Sequence, residues 1–506
     1  MQRPFYVTTP IYYISGNPHI GHAYTTVVAD VLARTARTGG PAHFLTGTDE
    51  HGQKVADAAR AAGKTPQDWC DELVPRWKAL FELYHVRYDD FIRTTEPRHE
   101  VVVQAIFERL RENGDIYLGK YEGWYCVADE TFWLESKLVD GKCPTCGRAV
   151  EWLSEDDWFF RLSKYRDRLM EHFRANPEFV RPRAVYNEMM SLLEEGLDDF
   201  SISRTKFDWG IPIPGGGGVI YVWFDALLNY ITALGWSTPQ DEPFRTFWPA
   251  TVQLVGKEIA RFHTIIWPAV LWAIGESPPQ QVFAHGWITL DGQKIGKSLG
   301  NSVDPFALAE KFGADSLRYF LLREAPFGSD FSYSEEKIAQ RHNDDLGNDL
   351  GNLLRRSLAM LQKYRAGVVP DRPAESAFAG RFDGLPARVR ERVFALDFRG
   401  ALEAIWELVG ALNREIDDRK PWALYKEERH GELDALLYDL CEGLRVLAAM
   451  LAPFMPERAA EIWRQIGASE PIDRDWSDAL AWGGLAPGTV TAPGDALFPR
   501  IELAKA

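Results

Sequence analysis

Short apolar runs alternate with longer amphipathic segments through the first 115 residues. Phe5-Tyr6-Val7-Thr8 reads as a buried strand, and Gly16-Asn17-Pro18 supplies a turn, an N-cap and a proline fit for a first helical position. Ala23, Val27, Val31 and Leu32 then recur at helical spacing, which sets His19 and His22 in the first turn of that helix. Residues 41–46 form a second strand that ends in the polar loop Gly47-Thr48-Asp49-Glu50-His51-Gly52. Open α/β sheets bind ligands at such strand ends. Between 116 and 185, cysteines and aromatics break the alternation, as an inserted module does. It resumes with strands at 219–224, 252–255 and 282–285, and Gly256-Lys257-Glu258 opens a helix carrying His263. From 335 onward strands stop, and periodic segments at 335–363, 399–417 and 432–451 predict an all-α bundle.

The chain therefore divides into an α/β domain in two halves, 1–115 and 186–290, split by an insert at 116–185. A loop and connecting segment follow at 291–334, then the bundle at 335–467 and an irregular tail at 468–506.

Composition narrows the setting. A length of 506 residues suffices for two to four domains. The formal net charge of −16 opposes loose binding to nucleic acid but permits a local basic strip. No apolar run is long enough for a membrane span and no leader precedes the first strand, so a cytoplasmic protein is expected. Five cysteines do not make a secreted disulfide scaffold. Cys70 and Cys441 read as buried small hydrophobes. Cys143-Pro144-Thr145-Cys146 is a knuckle with the spacing zinc prefers, and upstream lies Cys126-Val127-Ala128-Asp129. A structural zinc site of Cys126, Asp129, Cys143 and Cys146 is expected; Glu130 or water are competing fourth ligands, and a vestigial, metal-free knuckle is the alternative.

Two motifs carry the chemistry. In Pro18-His19-Ile20-Gly21-His22 the imidazoles stand at a helix N-terminus, where free N–H groups and the dipole favour a phosphate. Lys294-Ile295-Gly296-Lys297-Ser298 brings two lysines on a glycine-containing loop to the same phosphates. Residues 291–298 are a near miss for a Walker A loop, because Asp291 stands where glycine is required.

In this order the pair resembles the HIGH and KMSKS signatures of class I aminoacyl-tRNA synthetases, with Ile295 and Gly296 departing from the second. Thr9-Pro10-Ile11-Tyr12-Tyr13, the 48–52 loop, Tyr221-Val222-Trp223-Phe224-Asp225-Ala226, and Gly256-Lys257-Glu258 with His263 narrow the likeness to the methionyl-tRNA synthetase family. That resemblance implies a Rossmann-type catalytic domain split by a zinc-knuckle insert, followed by an α-helical anticodon-binding bundle. It implies ATP-dependent attachment of methionine to initiator and elongator tRNA through methionyl-adenylate, magnesium accompanying ATP, and a monomer. His19, His22, Lys294 and Lys297 are then catalytic, with Gly21 and Ser298 also at the nucleotide. Asp49 takes the substrate ammonium, and Ile11, Tyr13, Trp223, Ala226, Leu227, Tyr230, Ile259 and His263 line the side-chain pocket. Asn352, Arg356 and Trp422 read the anticodon. The small insert leaves no room for an editing module of the kind that separates isoleucine from valine. Two readings compete with an active ligase: a noncatalytic tRNA-binding paralogue, which the altered Ile295-Gly296 permits, and an adenylate-forming nucleotidyltransferase with a small acceptor.

Overall fold

The computed structural model describes residues 4–127, 131–133, 135–290, 292–295, 303–376, 378–476 and 480–503. Its centre is a seven-stranded, all-parallel sheet. In chain order the strands are β1 (Phe5–Thr8), β2 (Tyr12–Tyr13), β3 (Ala42–Asp49), β4 (Asp90–Arg93), β5 (Val180–Arg181), β6 (Val252–Gly256) and β7 (Val282–His285). The spatial order is β2-β3-β1-β6-β7-β5, with β4 also paired to β3. The chain winds one way from β1 through β3 and the other way from β6 through β7. The crevice beyond the C-terminal ends of β1 and β6 is thus the switch point at which such sheets bind ligands. Burial on both faces explains the unbroken apolar runs: Tyr6 and Val7 in β1 and Leu254 and Val255 in β6 are fully buried. At Gly47 a Cβ would come within 2.0 Å of the Ile92 carbonyl, so the close passage of β3 by β4 demands glycine.

Residues 116–160 leave this sheet for a long antiparallel pair, Ile116–Cys126 with Glu151–Phe160, extended by Thr131–Trp133 and Phe200–Ser201. The second signature hangs on a small sheet: Ile288–Leu290 pairs antiparallel with Gln293–Lys294 and parallel with Phe331–Ser332. Ile295 is buried and its N–H donates to the Ile288 carbonyl, so one of the two residues that depart from the family pattern anchors the loop's root.

Three expectations shift. Helix α1 runs Ile20–Arg37 with His19, rather than Asn17, as its N-cap. The expected strand at 219–224 ends at Ile220, and Tyr221 caps helix α2 (Val222–Leu227). A six-residue apolar run fits either structure, and here the turn at Tyr221 decides. The single helix expected at 335–363 is three pieces: Glu335–Arg341, a π-helical stretch His342–Gly351, and α4 (Asn352–Arg365).

Helix α3 (Ala314–Arg323) links the catalytic region to the bundle, whose main helices include α4, α5 (Phe398–Arg419), α6 (Pro421–Lys426) and α7 (His430–Leu451). Arg318, wholly buried on α3, donates to Asp30 of α1 and to the carbonyls of Tyr84, Pro453 and Phe454. The tail follows the bundle without regular structure: the Gly483, Gly484 and Leu485 N–H groups donate to the buried Glu442 carboxylate. No helix among the described residues is long and apolar enough to cross a membrane.

Candidate active site

Helix α1 opens with an unusual cap. The His19 Nδ1 accepts from the Gly21 N–H at 3.1 Å, and the His22 Nδ1 accepts from the His19 N–H at 3.0 Å. This is a capping box in which imidazoles replace the usual hydroxyl and carboxylate. An Nδ1 that accepts leaves the neutral ring's proton on Nε2. The rings stack at 3.8 Å, and a Cβ on Gly21 would lie 2.9 Å from the His19 ring, which explains the glycine between them. Trp69 and Trp77 hold the approach to this turn through bonds to the Ile14 and Gly16 carbonyls.

Asp49 ends β3, buried and in register with Tyr13 of β2. Its loop is fixed residue by residue. The buried Glu50 carboxylate accepts from Arg93 at 2.7 and 2.9 Å and from Thr48 and Thr95 at 2.6 Å each. His51 donates through Nδ1 to Asp225 at 2.7 Å, and His99 reaches the other oxygen of Asp225 through Nε2 at 2.6 Å. Asp225 is wholly buried: burial alone would raise its pKa, but the two imidazoles hold it below the usual carboxylate range. Because Asp225 lies on α2, this bridge locks the Asp49 loop to the helix that carries Trp223, Ala226 and Leu227.

Of the expected pocket residues, Ile11, Ala226, Leu227 and Tyr230 share one hydrophobic cluster with Ile259 packed against it, whereas Tyr13 packs against the other cluster. Trp223 stacks on Phe262 at 4.1 Å, a partner the sequence did not single out. His263 sits on a π-helical turn, Phe262–Ile266, a geometry frequent at functional sites. Its Nδ1 donates to the Ile259 carbonyl at 3.0 Å, so its Nε2 accepts from the Tyr230 hydroxyl at 2.8 Å.

Burial pulls the His263 pKa down to about 4. The unfolded ring takes up its proton near about 6.5, so folding stability should fall as pH drops through that window and level off below it. The slope reaches at most about 1.4 kcal/mol per pH unit. Urea midpoints measured across this range should show it, and His263→Gln should flatten it.

The model of class I tRNA synthetases (M) matches residues 5–151 and 146–358. The methionine–tRNA ligase of Caldanaerobacter subterraneus subsp. tengcongensis is 49% identical over 100% of this chain and 80% of that protein. That of Thermotoga maritima is 46% identical over 98% and 80%. The chain belongs to the methionyl-tRNA synthetase family. The solved Mycobacterium tuberculosis methionyl-tRNA synthetase in complex with methionyl-adenylate superposes with a TM-score of 0.94 at 44% identity, covering 99% of this chain and 100% of that one. The apo form of the same synthetase gives 0.86 at 40% identity, covering 100% and 99%.

Other residues that the methionyl-tRNA synthetase resemblance singled out lie elsewhere. Asn352 and Arg356 open α4, and Arg356 bonds Asp417 near the end of α5 at 2.6 Å. Trp422 follows one turn later on α6, exposed. Cys126, Cys143 and Cys146 bring their sulfurs within 4.8 Å of one another, a group able to hold a metal ion. Asp129, Gly296, Lys297, Ser298 and the Lys294 side chain lie outside the described residues.

Proposed function

We propose that the crevice beyond β1, β3 and β6 activates methionine and charges tRNA, with the side chains around it dividing the work. The chain is an aminoacyl-tRNA ligase of class I. The methionine carboxylate attacks the α-phosphate of ATP in line and pyrophosphate leaves. The acyl group then passes from the adenylate to a ribose hydroxyl of the tRNA's terminal adenosine, by resemblance the 2′ oxygen, and AMP departs. No side chain becomes covalent; catalysis is positioning and stabilisation of phosphate charge.

Asp49 pairs with the substrate ammonium. Ile11, Tyr13, Trp223, Ala226, Leu227, Tyr230, Ile259 and His263 receive the thioether, whose polarizable sulfur suits aromatic walls. The Tyr230 proton is committed to His263, which leaves the sulfur its contact with the ring rather than a hydrogen bond from the phenol. His19 and His22 turn their Nε2 protons to the α-phosphate beside the Gly21 backbone, and Lys294, Lys297 and Ser298 serve the pyrophosphate. Magnesium accompanies ATP, held mainly by phosphates and water. Asn352, Arg356 and Trp422 take the unpaired anticodon bases.

What carries this reading is the imidazole capping box. A helix start that assigns both ring protons to Nε2 is a preset donor pair for an oxyanion, and it follows the two strands that flank the one ending in Asp49. The test is amino-acid-dependent ATP–pyrophosphate exchange without tRNA, with methionine, leucine, isoleucine, valine and cysteine in parallel. Exchange with methionine alone is expected. Exchange with another amino acid would mean the pocket is misassigned, and none with any would favour the noncatalytic tRNA-binding reading.

The cysteine cluster fits zinc. Tetrahedral Zn–S bonds of about 2.3 Å put sulfurs about 3.8 Å apart, and the Cys126 and Cys146 sulfurs lie 3.5 Å apart. Cys126, Cys143 and Cys146 with Asp129 would hold it as a closed structural site that staples the insert. Removing it with a chelator should speed amide exchange in residues 116–160, and Cys143→Ser should mimic the effect. Unchanged exchange would favour the metal-free knuckle.

A further inference from the structure

We propose that Tyr425, backed by Tyr364, is a second base-stacking platform that takes an unpaired anticodon-loop base next to those read by Trp422. This rests on reading Asn352, Arg356 and Trp422 as the anticodon surface. On α6, Pro421 and Leu424 turn inward and are buried, while Trp422 and Tyr425, also three apart, share the outer face at 52% and 47% exposure. Among the described residues the largely exposed aromatics are Trp152, Trp422 and Tyr425, so two of the three sit together on one six-residue helix. Anchoring α6 does not require this, since Pro421 and Leu424 already do it.

The ring has a backing. Tyr425 meets Tyr364 at 4.7 Å with planes 33° apart, and His430 presses its edge at 6.1 Å. The Lys363 ammonium lies 5.2 Å from the Tyr364 ring centroid. Tyr364 belongs to the last turn of α4, the helix that starts with Asn352 and Arg356. Eight residues separate Arg356 from Tyr364, about 12 Å along the axis, and Arg356 reaches across to Asp417 on α5 just before α6 begins. The readers and the tyrosine pair therefore form one strip running from the start of α4, over α6, to the end of α4. Of the acidic side chains at its edge, Asp434 is engaged by Arg365, and Glu427 and Glu432 by Arg429, while exposed Glu428 forms no ion pair among the described residues. Lys363, Lys420 and Lys426 flank it. Two aromatic faces with lysines alongside, on a chain of net charge −16, are built for base stacking and phosphate contact rather than for nonspecific attraction.

The experiment measures aminoacylation by the full chain with methionine tRNA transcripts. Tyr425→Ala should raise the tRNA KM about tenfold with kcat retained, and Tyr425→Phe should restore it, since stacking needs the ring and not the hydroxyl. In transcripts carrying 2-aminopurine at one loop position outside the anticodon, wild-type binding should quench the base. Tyr425→Ala should abolish that quench and Tyr425→Phe should keep it. If Trp422→Ala weakens tRNA binding and Tyr425→Ala does not, this inference falls and the anticodon reading stands. If neither does, the anticodon reading falls and takes the inference with it. A lowered melting midpoint in Tyr425→Ala with no effect on quenching makes the ring structural and overturns the proposal.

Discussion

Asparagine in place of Asp225 is expected to lower kcat/KM for methionine roughly thirtyfold, about 2 kcal/mol. Both carboxylate oxygens accept an imidazole N–H, at 2.7 Å from His51 and 2.6 Å from His99. An amide offers one acceptor and turns an N–H donor on the other ring. The unmatched pair is fully buried, and a charged acceptor lost there costs more than a neutral one. The site feels the loss because His51 follows Asp49 by two residues and Asp225 lies between Trp223 and Ala226. In the proposed function, the bridge keeps the ammonium contact and the thioether wall in one geometry. Pyrophosphate exchange should show the methionine KM rising well beyond any change in the ATP KM. Equal shifts in both, or none, would reduce Asp225 to a packing role.

Methionine at Arg318 should destabilise the protein by about 3–5 kcal/mol, the cost of removing one partner of a buried ion pair. The guanidinium meets Asp30 at 2.7 Å and three main-chain carbonyls at 2.7 to 2.9 Å, from the signature helix α1 to the turn after α7. Burial pulls the Arg318 pKa down and Asp30 opposes that pull. Arg34 also bonds Asp30, so the carboxylate keeps a partner, but the carbonyls of Tyr84, Pro453 and Phe454 do not keep this donor. Lysine should recover less than half of the loss, because one ammonium cannot span that fork. Denaturant midpoints and amide exchange around 453–455 are the measurements. An unchanged midpoint in Arg318→Met would show that the contact contributes nothing net.

Local pattern made the strands at Phe5–Thr8, Val252–Gly256 and Val282–His285 legible, because buried parallel strands are continuous apolar runs. The place of His19 and His22 at a helix start and the pairing of Cys143 with Cys146 were legible for a similar reason, since each pair lies within a few residues. What stayed hidden depends on partners far along the chain. Nothing near Asp225 announces His51, 174 residues away, or His99, 126 away. Phe262 reads as one more core aromatic until Trp223 is found stacked on it. The helix start moved from Asn17 to His19 because sequence rules rank amide and hydroxyl caps first, and an imidazole does the same work through Nδ1. The π-helical stretch His342–Gly351 has the apolar spacing of an ordinary helix, so only its hydrogen bonds reveal it.

The doubled duty of those imidazoles bears on how such motifs persist. Residues kept for chemistry usually strain the fold that holds them, and drift removes them once the chemistry is no longer needed. Here replacing His19 and His22 would cost the helix beneath the site its cap, about 1 kcal/mol. A descendant that had abandoned catalysis would still have a folding reason to retain both. Their presence in a distant relative is therefore a record of shared architecture as much as of chemistry.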